Sequence, residues 1–327
     1  MRRVLIAILS ALILAAIAGW LVWQRDMDRI HARLWADVSV VDTLHGPVPF
    51  VSGGAGAPVL AIHGAGGGYD QGRLMAEAFL LEGFRWFAPS RFGYPGAPMP
   101  ADPSTAVQAD AFAGMLDALG IDRITLLAMS GGVPPALQFA RRHPARIEAL
   151  ILLSLAPYAP QTAEEQELPV PLWLYDALFA TDLPFWAVLR LWPRLLAPMF
   201  DARVELTGQM TDQEGAFLDA MIAAFLPVTQ RRAGLANEGA AIDPAAALDP
   251  AAIRVPVLIV HARDDRLTPF STASFTAEHI PGAQVLAFET GGHLLLGHHA
   301  EIRARIAGFL ATLRLPPSPA RSQGTPP

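Results

Sequence analysis

The chain has 327 residues, 52% of them apolar, with a net charge of −6 and no cysteine. That composition supports a well-buried core and excludes a disordered chain. All its basic side chains are arginines, and they form no basic stripe of the kind that binds nucleic acid. The missing thiols remove disulfides, cysteine nucleophiles and cysteine metal sites, and leave the redox compartment open.

Residues Val4 to Trp23 carry no charge. A helix of that length, at about 1.5 Å per residue, reaches roughly the 30 Å of a bilayer core, and Trp20 and Trp23 would stand at its interface. We therefore expect a single-pass N-terminal anchor over residues 1–25. The rival reading is a cleaved signal peptide, because Arg2 and Arg3 precede the run and Ala16-Ile17-Ala18 resembles a small-x-small cleavage site. The apolar run continues through Trp23, which favours the anchor. The leading arginine pair favours an extracytoplasmic catalytic domain, whereas Arg25, Arg29 and Arg33 just past the span argue the other way.

A polar connecting stretch, "QRDMDRIHARLWAD", follows. Short apolar runs then alternate with helical patterns, the signature of an α/β fold. "VSVVDT" and "PVPFVSG" read as an opening hairpin. "PVLAIHG" (58–64), "RWFAPS" (85–90), "RITLLAM" (123–129), "EALILLS" (148–154), "VPVLIVHA" (255–262) and "AQVLAFE" (283–289) read as strands. Helical spacing marks 105–120, ending at Gly120, then 136–144 and the closing helix 299–313. Between about Ala156 and Ile253 the alternation stops, and the chain reads as helices rich in Trp, Leu, Phe and Ala. The final "RLPPSPARSQGTPP" is too polar and proline-rich to pack.

Three features lie where predicted strands end. In "AMSGG", Ser130 stands at an abrupt strand-to-helix turn with small neighbours, a place a turn serine could also occupy. In "VHARDDRLTP" an acidic pair follows a strand, and Asp264 reads as a helix N-cap. In "ETGGHLLLGH", His293 follows two glycines, while His298 and His299 belong to the exposed start of the last helix. No HExxH or paired ligand spacing points to a metal, and no cofactor motif is present.

The order Ser, Asp, His, each after a strand of a parallel sheet, lets the three loops converge at the carboxyl ends of the strands. A serine hydroxyl needs an imidazole to take its proton, and the imidazole needs a carboxylate to fix its tautomer. Ser130, His293 and Asp265 can fill those roles. The glycine-rich "IHGAGGG" (62–68) offers backbone N–H groups for an oxyanion, with Ala65 and Gly131 as the natural pair. The doubled proline is the odd feature of the serine turn: Pro134 lies within the first helical turn, while Pro135 threatens one hydrogen bond or a distortion.

With "HGAGG", "SRFGYPGAP", "AMSGG", "DDRLTP" and "GGHLLLG" in this order, residues 36–314 resemble a cap-containing serine hydrolase of the α/β-hydrolase superfamily. Ala128 stands where the family pattern usually has glycine. The resemblance implies a core of residues 36–156 and 254–314, a helical cap over 157–253 and a disordered tail over 315–327. It favours Asp265 as the acid, because Pro269 follows four residues later. It implies an esterase acting on a hydrophobic acyl substrate. Carbon–carbon hydrolases, thioesterases, amidases or proline iminopeptidases, haloperoxidases and acyltransferases share the same apparatus. A non-catalytic relative that binds a lipophilic ligand at the membrane is the reading from another class. Oligomeric state is left open.

Overall fold

The computed structural model describes residues 2–156, 179–241 and 249–313. Its centre is an eight-stranded sheet of β1 (Ser39–Thr43), β2 (Gly46–Gly54), β3 (Ala57–Ile62), β4 (Phe84–Pro89), β5 (Ile124–Met129), β6 (Ile147–Leu153), β7 (Val257–Ala262) and β8 (Gln284–Phe288). The strand order is β1-β2-β4-β3-β5-β6-β7-β8. β1 and β2 form the opening hairpin, and β2 also runs antiparallel to β4. From β4 to β8 every pairing is parallel. All six parallel strands, β3 to β8, are therefore aimed the same way, and their following loops share one edge.

The central strands read as unbroken apolar runs because both faces of the sheet are covered. Their side chains still alternate between two cores. Val59, Ala61, Leu127, Met129, Ile151, Leu153, Leu258 and Val260 face one core, closed by α2 (Tyr69–Phe79) and α10 (His299–Thr312). Leu60, Ile62, Leu126, Ala128, Leu150, Leu152 and Ile259 face the other, closed by α3 (Thr105–Ala118) and α4 (Val133–Arg142). Each fully buried Leu or Ile contributes on the order of 1.5–3 kcal/mol. α3 begins at Ser104, whose Oγ accepts from Val107 N at 3.3 Å, and it ends before Gly120 at φ 66°, the left-handed position that glycine fills after a helix.

Between β6 and β7 the described chain is helical: α5 (Asp182–Leu191), the 3-10 segment Pro193–Phe200, α6 (Val204–Thr207), α7 (Asp212–Ala223) and α8 (Arg232–Ala241). α7 carries a full capping box, with Thr211 and Glu214 exchanging bonds. Phe200, Leu206, Phe217, Leu218, Met221 and Phe225 of this inserted segment join the first core. Most of "PLWLYDALFA" and the whole tail from 314 lie outside the described residues.

Several sequence expectations change. The "polar connecting stretch" is helical: one helix, α1 (Arg2–Leu34), runs through it. Its apolar window has a mean hydropathy of 2.7 and is fully uncovered, while Met27 and Leu34 farther along are buried. Asp26 accepts from Trp186 Nε1 at 3.1 Å and Arg33 Nη2 donates to Ala223 O at 3.3 Å, so the end of α1 is tied to the inserted segment. α2 and α9 (Phe270–His279) were not foreseen. Asp264 is not an N-cap, because α9 starts after Pro269. His299 is buried rather than exposed: its N–H donates to Glu214 at 3.0 Å and its ring lies against Phe79 and Phe217.

Candidate active site

β5 ends at Met129, and the chain turns at Ser130 with φ 52°, in the left-handed region. A non-glycine residue there costs about 1–2 kcal/mol, which an elbow tightened from both sides can enforce. The 3-10 turn Ser130–Gly132 leads directly into α4. A Cβ on Gly132 would come within 2.5 Å of Ile62 O and 2.7 Å of His63 O, so the backbone of β3 passes too close for any side chain. Ala128, where the family pattern has glycine, is fully buried in β5 and fits without distortion of its pairing with Ile62 and Leu152. The doubled proline resolves as well. With α4 starting at Val133, both Pro134 and Pro135 fall among the first N–H positions that have no intrahelical acceptor, so neither forfeits a bond.

The loops after β7 and β8 bring the acid and the histidine together. His293 Nδ1 lies 2.9 Å from Asp265 Oδ2. Asp265 also accepts from Leu267 N and Thr268 N, both at 2.9 Å, and from Thr268 Oγ1 at 2.8 Å. Burial pushes its carboxyl up, but the charge of His293 and the bonds from His293 and Thr268 outweigh burial and hold it at about 2. Burial pulls His293 down; Asp265, through charge and hydrogen bond, and then Asp201 overcome it and raise the imidazole above its ordinary value. The turn after β6 ties the histidine loop to the serine turn: Ser154 Oγ donates to His293 O at 2.7 Å, and Ala156 N donates to Ser130 O at 3.4 Å.

Asp264 serves the same region differently. Its Oδ1 accepts from Gly292 N at 2.9 Å, beside the histidine, and its Oδ2 pairs with Arg203 of the inserted segment. Buried Asp201 accepts from Arg266 N at 3.0 Å. Neither partner is near in sequence, so no local pattern announces these roles.

Between β3 and α2 the chain forms the glycine-rich loop. Ala65 N lies 3.2 Å from the position a Cβ on Gly131 would take, so the two expected oxyanion donors are neighbours. His63 holds the loop as a neutral ring: Nε2 accepts from Arg91 N at 3.0 Å, which leaves Nδ1 to donate to Gly64 O at 2.7 Å. Burial and then Arg91 drive its pKa well down. Gly66 N donates to Tyr94 Oη at 3.1 Å. Arg231, fully buried at the head of α8, donates to Gly67 O and Gly66 O and pairs with Asp70 at 2.6 Å. Arg91, Tyr94, Arg231 and Glu238 were missed in sequence; "SRFGYPGAP" marked the loop but gave none of its side chains a role.

Residues 57–300 match the family model described as the alpha/beta hydrolase fold. The chain belongs to the α/β-hydrolase family. It is 32% identical over 265 residues to the 2-hydroxymuconate semialdehyde hydrolase of Pseudomonas sp. (strain CF600), a match covering 79% of this chain and 88% of that one. Among solved structures, an α/β hydrolase fold protein from Nakamurella multipartita superposes with a TM-score of 0.69 at 26% identity, covering 84% of this chain and 98% of that one. The structure of a bacterial membrane phospholipase A superposes with a TM-score of 0.61 over 97% of this chain and all of that one, at 20% identity, a likeness of fold alone. Within this α/β hydrolase, Ser130, Asp265 and His293 occupy the loops after β5, β7 and β8 at the shared strand edge.

Proposed function

We propose that this α/β hydrolase is a serine esterase acting through an acyl-enzyme. The buried His293–Asp265 pair, at 2.9 Å, is the observation that carries the reading. With Nδ1 engaged by the carboxylate, Nε2 is the base for the Ser130 hydroxyl. Attack by Ser130 Oγ on an ester carbonyl breaks its π bond and places the charge on oxygen, where the N–H groups of Ala65 and Gly131 would receive it. His293 then returns the proton to the leaving alkoxide. Water, deprotonated by the same nitrogen, releases the acid and restores Ser130.

In this reading the inserted segment 157–253 is a cap. Phe225 supports it: a Cβ on Gly66 would meet the Phe225 ring at 2.2 Å, so that ring lies on the oxyanion loop. Phe179, Phe185 and Phe200 surround Phe225 with ring centroids 5.3–6.0 Å away, an apolar wall suited to a hydrophobic acyl group. α1 is the membrane anchor, holding the cap beside the bilayer.

A second reading is hydrolysis of a bond other than an ester, since the 32% identical relative is named for a semialdehyde substrate. The test is kinetic. Ser130→Ala and His293→Ala should each lower kcat/KM for p-nitrophenyl butyrate by about ten-thousand-fold, with folding unchanged by circular dichroism. Wild-type rates in Ser130→Ala would end the proposal, and an inactive wild type with a reactive serine would turn attention to the second reading.

A further inference from the structure

Above Gly131 stands a charged side chain that the esterase reading does not use. Arg91, from the loop after β4, is buried and pairs with Glu238 of α8; Tyr94 Oη donates to the same carboxylate. The second Glu238 oxygen accepts from Arg91 Nη1 at 3.4 Å. That oxygen lies 2.5 Å from the point a Cβ on Gly131 would occupy, with Ala65 N at 3.2 Å and Arg91 Nη2 at 3.3 Å from the same point. A carboxylate from the inserted segment therefore stands over the same side of Gly131 as the guanidinium fork and Ala65 N.

This arrangement cannot persist through turnover. A tetrahedral oxyanion held at Ala65 and Gly131 and the Glu238 carboxylate would be two negative charges crowded beside Gly131. Glu238 is the more exposed partner, its side chain 16% exposed against 7% for Arg91, and is the one that can be exchanged. What it leaves is a planar fork and a phenol hydroxyl, a donor set matched to a carboxylate. Arg91 Nε has no partner among the described residues, so the fork has donor capacity to spare. Replacement by a neutral group would strand Arg91 as a buried unpaired cation, whereas exchange of one carboxylate for another would not.

We propose that Arg91 and Tyr94 form a carboxylate subsite beside Ser130, filled here by Glu238, and that a substrate bearing a carboxylate on its acyl part takes the subsite by displacing Glu238. The turnover half of this rests on the esterase reading; the binding half does not. The preferred substrates are then monoesters of short dicarboxylic acids over neutral esters of equal length.

The test uses the full-length protein in detergent, with succinamate as the anionic probe and butyramide as its neutral counterpart. Glu238→Gln, which removes the internal competitor while keeping its shape, should tighten succinamate binding by about tenfold by calorimetry and change butyramide binding less than about twofold. Arg91→Met should abolish the preference for the anion; because Arg91 is buried, Glu238→Gln decides if that variant does not fold. In parallel, Glu238→Gln should raise kcat/KM for mono-p-nitrophenyl succinate relative to p-nitrophenyl butyrate. An unmoved binding ratio in folded Glu238→Gln overturns the subsite even if both esters are hydrolysed. A shifted binding ratio with no hydrolysis of either ester upholds the subsite and removes the esterase reading instead.

Discussion

Asp264 and Asp265 are adjacent and chemically identical, yet the fold gives them different work. Asp265 turns inward to His293 and to the backbone of its own loop, and Asp264 turns to Gly292 N and Arg203. Asp265→Asn should lower kcat by about ten-thousand-fold, because an amide cannot hold the imidazole in the right tautomer or balance its charge. Asp264→Asn leaves that pair intact, so its effect on kcat should be far smaller; comparable losses in the two variants would contradict the assignment. The pH dependence follows from the same pair. The base form of His293 is neutral, and its pKa is raised above 6.5, so kcat/KM should fall on the acid side of a midpoint above that value. For stability the sign differs by group. Asp265, depressed to about 2, contributes stability fully present above its unfolded value near 4 and lost as pH falls toward 2. The pairing of Asp265 rather than Asp264 with His293 was legible through Pro269, a neighbour in sequence. The charged partners of Asp264 and of Arg91, Arg203 and Glu238, lie 61 and 147 residues away and could be seen only in three dimensions.

At the level of elements, strands were the most legible, since each buried strand is a short apolar run ended by a turn. α2 was missed because "YDQGRLMAEAF" mixes glycine and charges into a helix whose buried face is set by packing on β4 and α10. α1 was read as ending with its apolar run, but polar helix formers continue it until Met27 and Leu34 reach the core. Its two halves should therefore separate experimentally. A chain lacking residues 2–24 should be monodisperse without detergent and keep its melting temperature. Removal through residue 36 uncovers what Met27 and Leu34 bury, on the order of 1.5–3 kcal/mol for each, and should lower it by several degrees. Equal melting temperatures for the two truncations would show that the end of α1 is not part of the folded unit. α8 is fixed at its head by Arg231. Arg231→Ala frees Gly67 O and leaves Asp70 without its cation. Asp70 is partly exposed, so the loss should be about 2–4 kcal/mol in denaturant unfolding, below that of a fully buried pair.

Across the whole molecule, one sheet edge gathers loops that are widely separated in sequence. The parallel run from β4 to β8 places the loops that carry Ser130, Asp265 and His293 along one edge, and the inserted segment between β6 and β7 adds Phe225, Arg231 and Glu238 beside the oxyanion loop and Gly131. The sheet and the loops that carry Ser130, Asp265 and His293 were readable because each depends on local signals in a fixed order. The polar contacts of the insert were not, because a helix rich in alanine and glycine, such as α8, carries no periodic signal for the face it turns to the site. Ser130 is the proposed nucleophile. The most direct measurement is labelling of the full-length protein with a fluorophosphonate, followed by peptide mapping. The label should fall on Ser130 alone, vanish in Ser130→Ala and slow sharply in His293→Ala. A protein that takes no label, or takes it on another serine while Ser130 stays unmodified, would contradict the account.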